Sequence, residues 1–433
     1  MFQPKNKKKV KGIDNNKVVK KNKISFVKYL SDISDVNFLP RVFTVFHQQI
    51  FLLILAGLLY ANTLQNKYVL DDVISITQNS FVQKGIGGIK DILKHDSMYG
   101  YVGYQTELEG GRYRPVPLII FAVEHELWGN NPLMGHLMNI IYWLILVYAL
   151  MYLFYNYLFS NNKDFAFLST LLFIIHPIHT EVIANIKSRD EILSLIFLTS
   201  SLIWLFKYLV ENNNLRYIVL SLLLYFLGLL SKEYGVTYLM IIPLTLYVFT
   251  NLSNKNIVKI TVYFVVIFVV YFMLRYSIVG LNFDKKSTEL LNNPFLYASF
   301  WEKYATIMLC LLKYLKLSFI PYPLSYDYRF NEIPITDFSN VYVLFSVLLH
   351  SLLVIYMIFL LKKRHVLSYF IFYYLISIFI SSNILVDIGA LMGERFLFQP
   401  SVGFSMAMAY ILLLPYKLNI NKNILRFLLL SFL

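Results

Sequence analysis

The stretch FLLILAGLLYANTLQNKYVLDDVISI, residues 51–76, decides how the rest of the chain is read. It opens as an apolar run and closes with two neighbouring carboxylates, Asp71 and Asp72, just past the point where a membrane helix would end. Membrane–water boundaries ordinarily hold aromatic or neutral polar residues. Paired acids at such a spot ask for a job.

Composition sets the class in which that job is sought. Apolar residues make up 58% of the 433 and charged ones 15%, against about 45–50% and about 25% in soluble domains. Mean hydropathy is +0.58. Apolar runs long enough for the hydrocarbon layer, about 30 Å, recur along the chain. The sequence therefore reads as an all-α polytopic membrane protein. The single Cys310 excludes a disulfide framework and offers no zinc cluster. Of the +14 net charge, eleven Lys and Arg fall between Lys5 and Arg41, against Asp14, Asp32 and Asp35. No nucleic-acid-binding pattern accompanies them, so residues 1–47 read as a basic cytoplasmic tail obeying the positive-inside rule, not as a nucleic-acid arm. The first apolar run begins too far in for a cleaved leader and reads as a signal anchor.

With the N-terminus inside, a helix over about 48–65 delivers Asp71 and Asp72 to the outer face. A long first outer loop follows, 66–131, ending in the amphipathic stretch RPVPLIIFAVEHELWG, residues 114–129. Further spans are expected near 132–159, 163–183, 190–209, 215–231, 234–251 and 258–278, with Lys163, Lys207, Arg216, Lys255 and Lys259 on the inner side. Lys362, Lys363 and Arg364 mark another inner loop, yet three apolar segments separate it from Lys259. One of the three cannot span. The segment 301–320 is the one, since Lys303, Lys313 and Lys316 interrupt it, and it is placed in the outer interface. Spans near 341–361, 366–384 and 396–415 follow. The final apolar segment, NILRFLLLSFL, is shorter than the roughly 20 residues a span needs and reads as clipped. The count is about eleven, the last one incomplete.

Charges at the rim of spans are expensive and point to function. They gather as RYRP (Arg112, Arg114), HPIHTEVIANIKSRDEIL (His176, His179, Glu181, Arg189, Asp190, Glu191), SKEYG (Lys232, Glu233), LSYDYRF (Asp327) and GERFLFQPSVGF (Glu394, Arg395). The topology above puts all of them on the outer side, where one polar cavity under the first loop accounts for the set. Carboxylates beside cations at a membrane surface suit transfer from a lipid-linked phosphate: a carboxylate takes a proton from an acceptor hydroxyl, and arginines hold the leaving phosphate. His176 and His179, at i and i+3 with Glu181 near, leave a divalent cation as the alternative to a hydrogen-bonded cavity wall; Pro177 between them distorts the helix end. No cofactor is otherwise required.

An ordered set of motifs then carries a resemblance. DD with Asn79 beyond it, YRP, GHLMN (His136, Asn139), HPIHTE with SRDE, SKEYGVT, PLSYDY and ERFLFQPSVGF together make the chain similar to the protein O-mannosyltransferase type of GT-C glycosyltransferase, and among these to the subgroup carrying tetratricopeptide repeats. The resemblance covers about residues 48–433, and it implies a GT-C transmembrane bundle. It implies transfer of a sugar, mannose, from a polyprenyl-phosphate donor to Ser or Thr hydroxyls of proteins at the non-cytoplasmic face. The membrane would be the bacterial inner membrane or the eukaryotic endoplasmic reticulum. By the family pattern Asp71 is the general base, with Asp72 the second choice, and Arg114 lies near the donor phosphate. Arg112, His136, His176, His179, Glu181, Arg189, Glu191, Lys232, Glu233, Asp327, Glu394 and Arg395 would line the cavity, with no metal required. The repeat domain that follows the last span in that subgroup is absent from this sequence. The rival readings are a GT-C transferase acting on a lipid or glycan, a secondary transporter and a silent scaffold. A transporter would place its charges at the midplane around an internal repeat, and neither feature is found.

Overall fold

The computed structural model describes residues 38–40, 42–104, 112–211, 213–280, 293–328 and 332–417. Residues 1–37 of the expected basic tail and the final apolar segment lie outside the described residues.

Twelve of the described helices build the molecule. They are α1 (Val45–Tyr60), α2 (Pro115–Trp128), α3 (Pro132–Leu153), α4 (Lys163–Ile175), α5 (Arg189–Val210), α6 (Leu215–Ser231), α7 (Tyr238–Phe249), α8 (Asn254–Val279), α9 (Phe300–Phe319), α10 (Val341–Lys362), α11 (Val366–Phe379) and α12 (Pro400–Lys417). Among the described residues, five helical segments can by length and composition cross a membrane: Val45–Gln65, Pro132–Leu158, Arg189–Val210, Asn254–Val279 and Val341–Lys362. A sixth is Lys163–Ile175 with Pro177–Ile183, bent by 53°. Pro177 sits at that bend, where it removes a backbone donor and stops the helix. The other expected spans fall on shorter apolar helices, Leu215–Ser231, Glu233–Phe249, Val366–Phe379 and Pro400–Leu414. The count of about eleven is thus not reproduced by length alone. Helix α9 carries Glu302, Lys303, Lys313 and Lys316 and stands outside the span-competent set.

Burial separates a centre from a rim. In α5, 72% of the apolar stretch is buried, whereas in α1 and α8 the figure is 22%. A helix apolar on all sides and mostly uncovered is made for lipid, so α1, α8 and α10 form the periphery. At the centre, small residues bring helices close. The Ser201 and Ser221 hydroxyls each donate to the other's carbonyl across α5 and α6, at 2.8 and 2.7 Å. Gly403 of α12 lies against the α11 backbone: a Cβ there would stand 2.7 Å from Tyr374 N and 2.8 Å from Phe370 O.

The first loop folds onto its own small core. Ile76, Val82, Ile92, Leu118, Phe121, Ala122 and Ile186 bury together, joining the loop to α2 and to the turn before α5. Asn79, fully buried, fastens this layer. Its Oδ1 accepts from Phe81 N and Val82 N, and its Nδ2 donates to Ile74 and Ser97 carbonyls. Gly100 packs so tightly on it that a Cβ would come within 2.1 Å of Asn79 Oδ1.

The sidedness argued from Lys and Arg placement has a direct check. A cysteine introduced near Tyr99 is expected to react with an impermeant maleimide in intact membranes, and one near Lys362 only after permeabilisation. Labelling of both from outside would overturn the assignment.

Candidate active site

The site is built first by the turn that ends the opening stretch. Leu70 takes a left-handed conformation, φ 48°, an uncommon state for a residue with a side chain. The turn closes with Asp72 N donating to Val69 O at 3.0 Å. Asp72 is fully buried; its Oδ2 accepts from Val69 N at 2.9 Å and its Oδ1 from Lys187 N at 2.7 Å. Burial pushes the Asp72 carboxyl above its usual range, against the pull of those two N–H groups. Asp72 therefore ties the loop to the turn preceding α5. Asp71 is partly exposed, and among the described residues its carboxylate has no hydrogen bond or ion pair. Its charge acts on Arg112, Lys187 and Arg395.

RYRP is held by the same loop. Arg112 N donates to Asp96 Oδ2 at 2.6 Å, Ser97 N to Arg112 O at 2.7 Å, and Arg114 N to Ser97 Oγ at 2.8 Å. Pro115 then starts α2 at its first helical position, where the missing N–H is no loss. So placed, the Arg114 guanidinium meets two carboxylates from other elements. Its Nη1 lies 2.7 Å from Asp190 Oδ2, and its Nη2 and Nε lie 2.7 and 2.9 Å from Glu233 Oε2. Asp190 also receives Lys187 at 3.5 Å and Lys232 at 3.4 Å, and Lys232 pairs with Glu191. Burial opposes charge on Arg114, but Glu233 and Asp190 outweigh it and hold its pKa above the ordinary value. Arg114 and Lys232 thus share three carboxylates, Asp190, Glu191 and Glu233, with Lys187 at the long edge of the network. Removing one member strands the others in low dielectric, which is why such networks tolerate single losses poorly.

Two cations are less engaged. Arg112 forms no ion pair among the described residues, and burial beside Arg114 lowers its pKa. Lys187 keeps only the long 3.5 Å approach to Asp190. Burial brings its pKa down to about 8, with Asp190 opposing. Arg395, by contrast, is paired: its Nη1 lies 2.5 Å from Glu181 Oε1, and its backbone N donates to Glu181 Oε2 at 2.7 Å. Next to it, Glu394 accepts from Ser325 N and from the Tyr328 hydroxyl. That contact draws the loop carrying Asp327 to the same side.

The titration of Lys187 is measurable. A Lys of pKa about 8 is mostly charged at pH 7 and mostly neutral at pH 9, while arginines stay charged throughout. If its charge contributes to binding a phosphate, kcat/KM for transfer should fall about tenfold over that interval, since this ratio reports groups of the free enzyme. Lys187→Arg should flatten the profile. An unchanged profile in the Arg variant would assign the pH dependence elsewhere.

Four of the residues expected at the cavity lie apart from this cluster. Arg189 is fully buried; Nε donates to Asn139 Oδ1 at 2.7 Å, Nη2 to Gly135 O at 2.9 Å, and Nη1 to Glu124 Oε1 at 2.6 Å. Its guanidinium also lies 4.7 Å from the Phe121 ring centre. It clamps α2 to α3 and α5. His136 is buried, and neither ring nitrogen makes a hydrogen bond of good geometry. His176 donates from Nε2 to Ser318 O at 2.9 Å and accepts at Nδ1 from Ile178 N. His179 pairs through Nε2 with Ser401 Oγ at 2.8 Å, among Trp143, Phe173 and Phe398. Among the described residues, no three His, Cys, Asp or Glu side chains converge as a metal site. In the other direction, Lys187 joins Asp190 in the cluster, and Glu124 is the hidden partner of Arg189; neither Lys187 nor Glu124 stood among the rim charges singled out in the sequence.

An apolar helical bundle with several helices able to cross a membrane, together with a cluster of paired charges beside its first loop, has the make-up of a multi-pass membrane protein. No family model matches the chain. It is similar to a Caenorhabditis elegans protein O-mannosyl-transferase, 30% identical over 361 residues that cover 81% of this chain and 49% of that protein. It is also similar to the human protein O-mannosyl-transferase TMTC1, 31% identical over 47% of this chain and 24% of the relative. Human protein O-mannosyl-transferase TMTC3 is 28% identical over 41% and 19%. These relatives support the resemblance to the protein O-mannosyltransferase type of GT-C glycosyltransferase. The chain spans half or less of the length of each of them. Among solved structures, the apo oligosaccharyltransferase of Archaeoglobus fulgidus aligns with 86% of this chain and 51% of its own, at 13% identity and a TM-score of 0.48.

Proposed function

We propose that this chain transfers a sugar, mannose by the names of its relatives, from a polyprenyl-phosphate donor to Ser or Thr hydroxyls of a protein on the non-cytoplasmic side of its membrane. The reading rests on one observation above the others: a carboxylate, Asp71, without a hydrogen bond or ion pair among the described residues, whose charge acts on Arg112, Lys187 and Arg395. In this mechanism the acceptor oxygen attacks the anomeric carbon, its proton passes to Asp71, and the carbon–oxygen bond to phosphate breaks. The phosphate leaves with added negative charge. Arg112 and Lys187, the cations not absorbed by the buried network, meet that charge where it develops. Arg114, bound to Asp190 and Glu233, sets the position of Arg112 two residues away. The lipid tail of the donor rests against apolar helix faces, which explains why such a site belongs in a bilayer.

The test is reconstitution. Purified chain in lipid nanodiscs, given polyprenyl-phosphate mannose and a Thr-containing peptide, is expected to yield a peptide heavier by one hexose on the Thr oxygen. Release of free polyprenyl phosphate should match it mole for mole. Sugar appearing only on lipid or on a glycan acceptor would replace the proposed acceptor class.

A further inference from the structure

The turn that carries Asp71 and Asp72 holds a leucine in a conformation that leucine disfavours. Among the described residues, Leu70, Asn213, Arg364 and Asn383 are the non-glycine residues with positive φ. Asparagine enters the left-handed region readily because its short polar side chain bonds locally; Asn383 does so with Ile388 N and Ala390 O. Arg364 is compensated by its guanidinium, which lies 4.3 Å from the Tyr247 ring centre. Leu70, at φ 48°, has no such compensation, since its side chain is 58% exposed. A single exposed leucine is ordinary. A leucine both exposed and strained is favoured neither by burial nor by its backbone. The turn itself imposes the strain: Val69 N donates to Asp72 Oδ2, Asp72 N to Val69 O and Val73 N to Leu70 O, at 2.9, 3.0 and 3.2 Å. Glycine would form the same turn without crowding at Cβ. The fold has no use for this side chain.

We propose that Leu70 is a specificity-determining residue, its side chain meeting an apolar side chain of the acceptor polypeptide within two positions of the Ser or Thr that takes the sugar. This rests on the reading of the chain as a protein glycosyltransferase with Asp71 as its base. The side of the site follows from the reaction. In a direct displacement the acceptor oxygen attacks the anomeric carbon from the face opposite the departing group. The base and its chain neighbour therefore stand with the acceptor, while the lipid tail stays with the phosphate on the other face. The spacing follows from the chain. Adjacent Cα atoms are about 3.8 Å apart, and an extended acceptor advances about 3.3 Å per residue, so Leu70 reaches the positions next to the reacting one. The chemistry of the partner follows from the surface. Val69, 45% exposed, continues the apolar stretch away from Asp71. A charged or amide side chain pressed on Val69 and Leu70 would lose water without gaining a hydrogen bond, whereas Leu, Ile, Val or Phe removes apolar surface from water on both sides.

The experiment compares the unaltered chain with Leu70→Asn and Leu70→Gly in nanodiscs. Two Thr peptides are supplied with polyprenyl-phosphate mannose, one with Leu and one with Gln on either side of the Thr. The ratio of kcat/KM for the Leu peptide to that for the Gln peptide should fall about tenfold in both variants, the low end for loss of an apolar contact. Asn and Gly both accept positive φ, so the unfolding midpoint of Leu70→Asn in mixed micelles should equal or exceed that of the unaltered chain. A second readout requires no transfer. Benzoylphenylalanine in place of Leu70 should photo-cross-link the Leu peptide in excess over the Gln peptide, read by mass spectrometry. An unchanged peptide ratio would overturn the proposal. So would a lowered midpoint in Leu70→Asn, which would give the side chain a role in the fold, or capture of lipid in place of peptide. If the unaltered chain transfers no sugar to either peptide but the probe at position 70 still captures the Leu peptide preferentially, the glycosyltransferase reading falls and the polypeptide contact stands.

Discussion

Asp71→Asn is expected to lower sugar transfer by about 10²–10⁴-fold while donor binding stays intact. The amide keeps the shape of the side chain and can still accept a hydrogen bond, but it cannot take the proton that a Ser or Thr hydroxyl must lose as it attacks, and that loss has this typical size. The donor is held by other residues, so its affinity should move by less than a factor of three. Asp72→Asn tests a different role. Its carbonyl can still accept one of the N–H groups of Val69 and Lys187, but the other loses its acceptor, at about 1–3 kcal/mol. Its effect should be a loss of stability and a smaller loss of rate. The reverse ranking would move the base to Asp72. Full activity in both variants would remove the general-base mechanism.

The largest effect on stability is expected at Arg189. Arg189→Leu leaves Glu124 buried and uncompensated, and leaves Asn139 Oδ1 and Gly135 O without their donor. Breaking a buried pair in this way costs about 3–5 kcal/mol. Arg189→Lys keeps the charge but supplies a point, where the site uses a planar fork reaching three acceptors, so an intermediate loss is expected. Adding Glu124→Gln to Arg189→Leu should recover part of the deficit, since the stranded charge is gone. Denaturant unfolding in mixed micelles measures all three. A single-variant loss under 1 kcal/mol would mean that water or another cation reaches Glu124.

These residues also show what sequence could and could not reveal. The apolar runs and the rim charges were legible because membranes punish exceptions: a carboxylate beside a span stands out against 15% charge overall. Which charge faces which partner was not legible. Lys187, Asp190 and Glu191 fall at i, i+3 and i+4, one side of a helical turn, whereas Arg189 is rotated off that side and into α2 and α3. The string KSRDE contains all four without saying where the face begins, and Ser188 as the cap of α5 fixes it only in three dimensions. The histidines show the same limit. His176 and His179 are spaced so that a cation and a hydrogen-bonded wall both stay open in sequence; in the fold their rings lie 6.0 Å apart and turn nitrogens to Ser318 and Ser401. Helix length alone does not recover the expected span number for a related reason. Broken and short helices inside a bundle are covered by protein and need not reach across lipid by themselves.

The Asp72 tether bears on when the positional entropy of the reaction is settled. A fully buried carboxylate holding two backbone N–H groups leaves the segment around Asp71 little freedom relative to the start of α5. The charge network around Asp190 fixes that same helix start against α2 and α6. Ordering a loop residue during binding would consume about 1–2 kcal/mol of backbone freedom each time a substrate arrived. Here that ordering is completed during folding, so in the proposed mechanism the acceptor would meet a carboxylate whose place is already set, the condition under which proximity contributes most to rate.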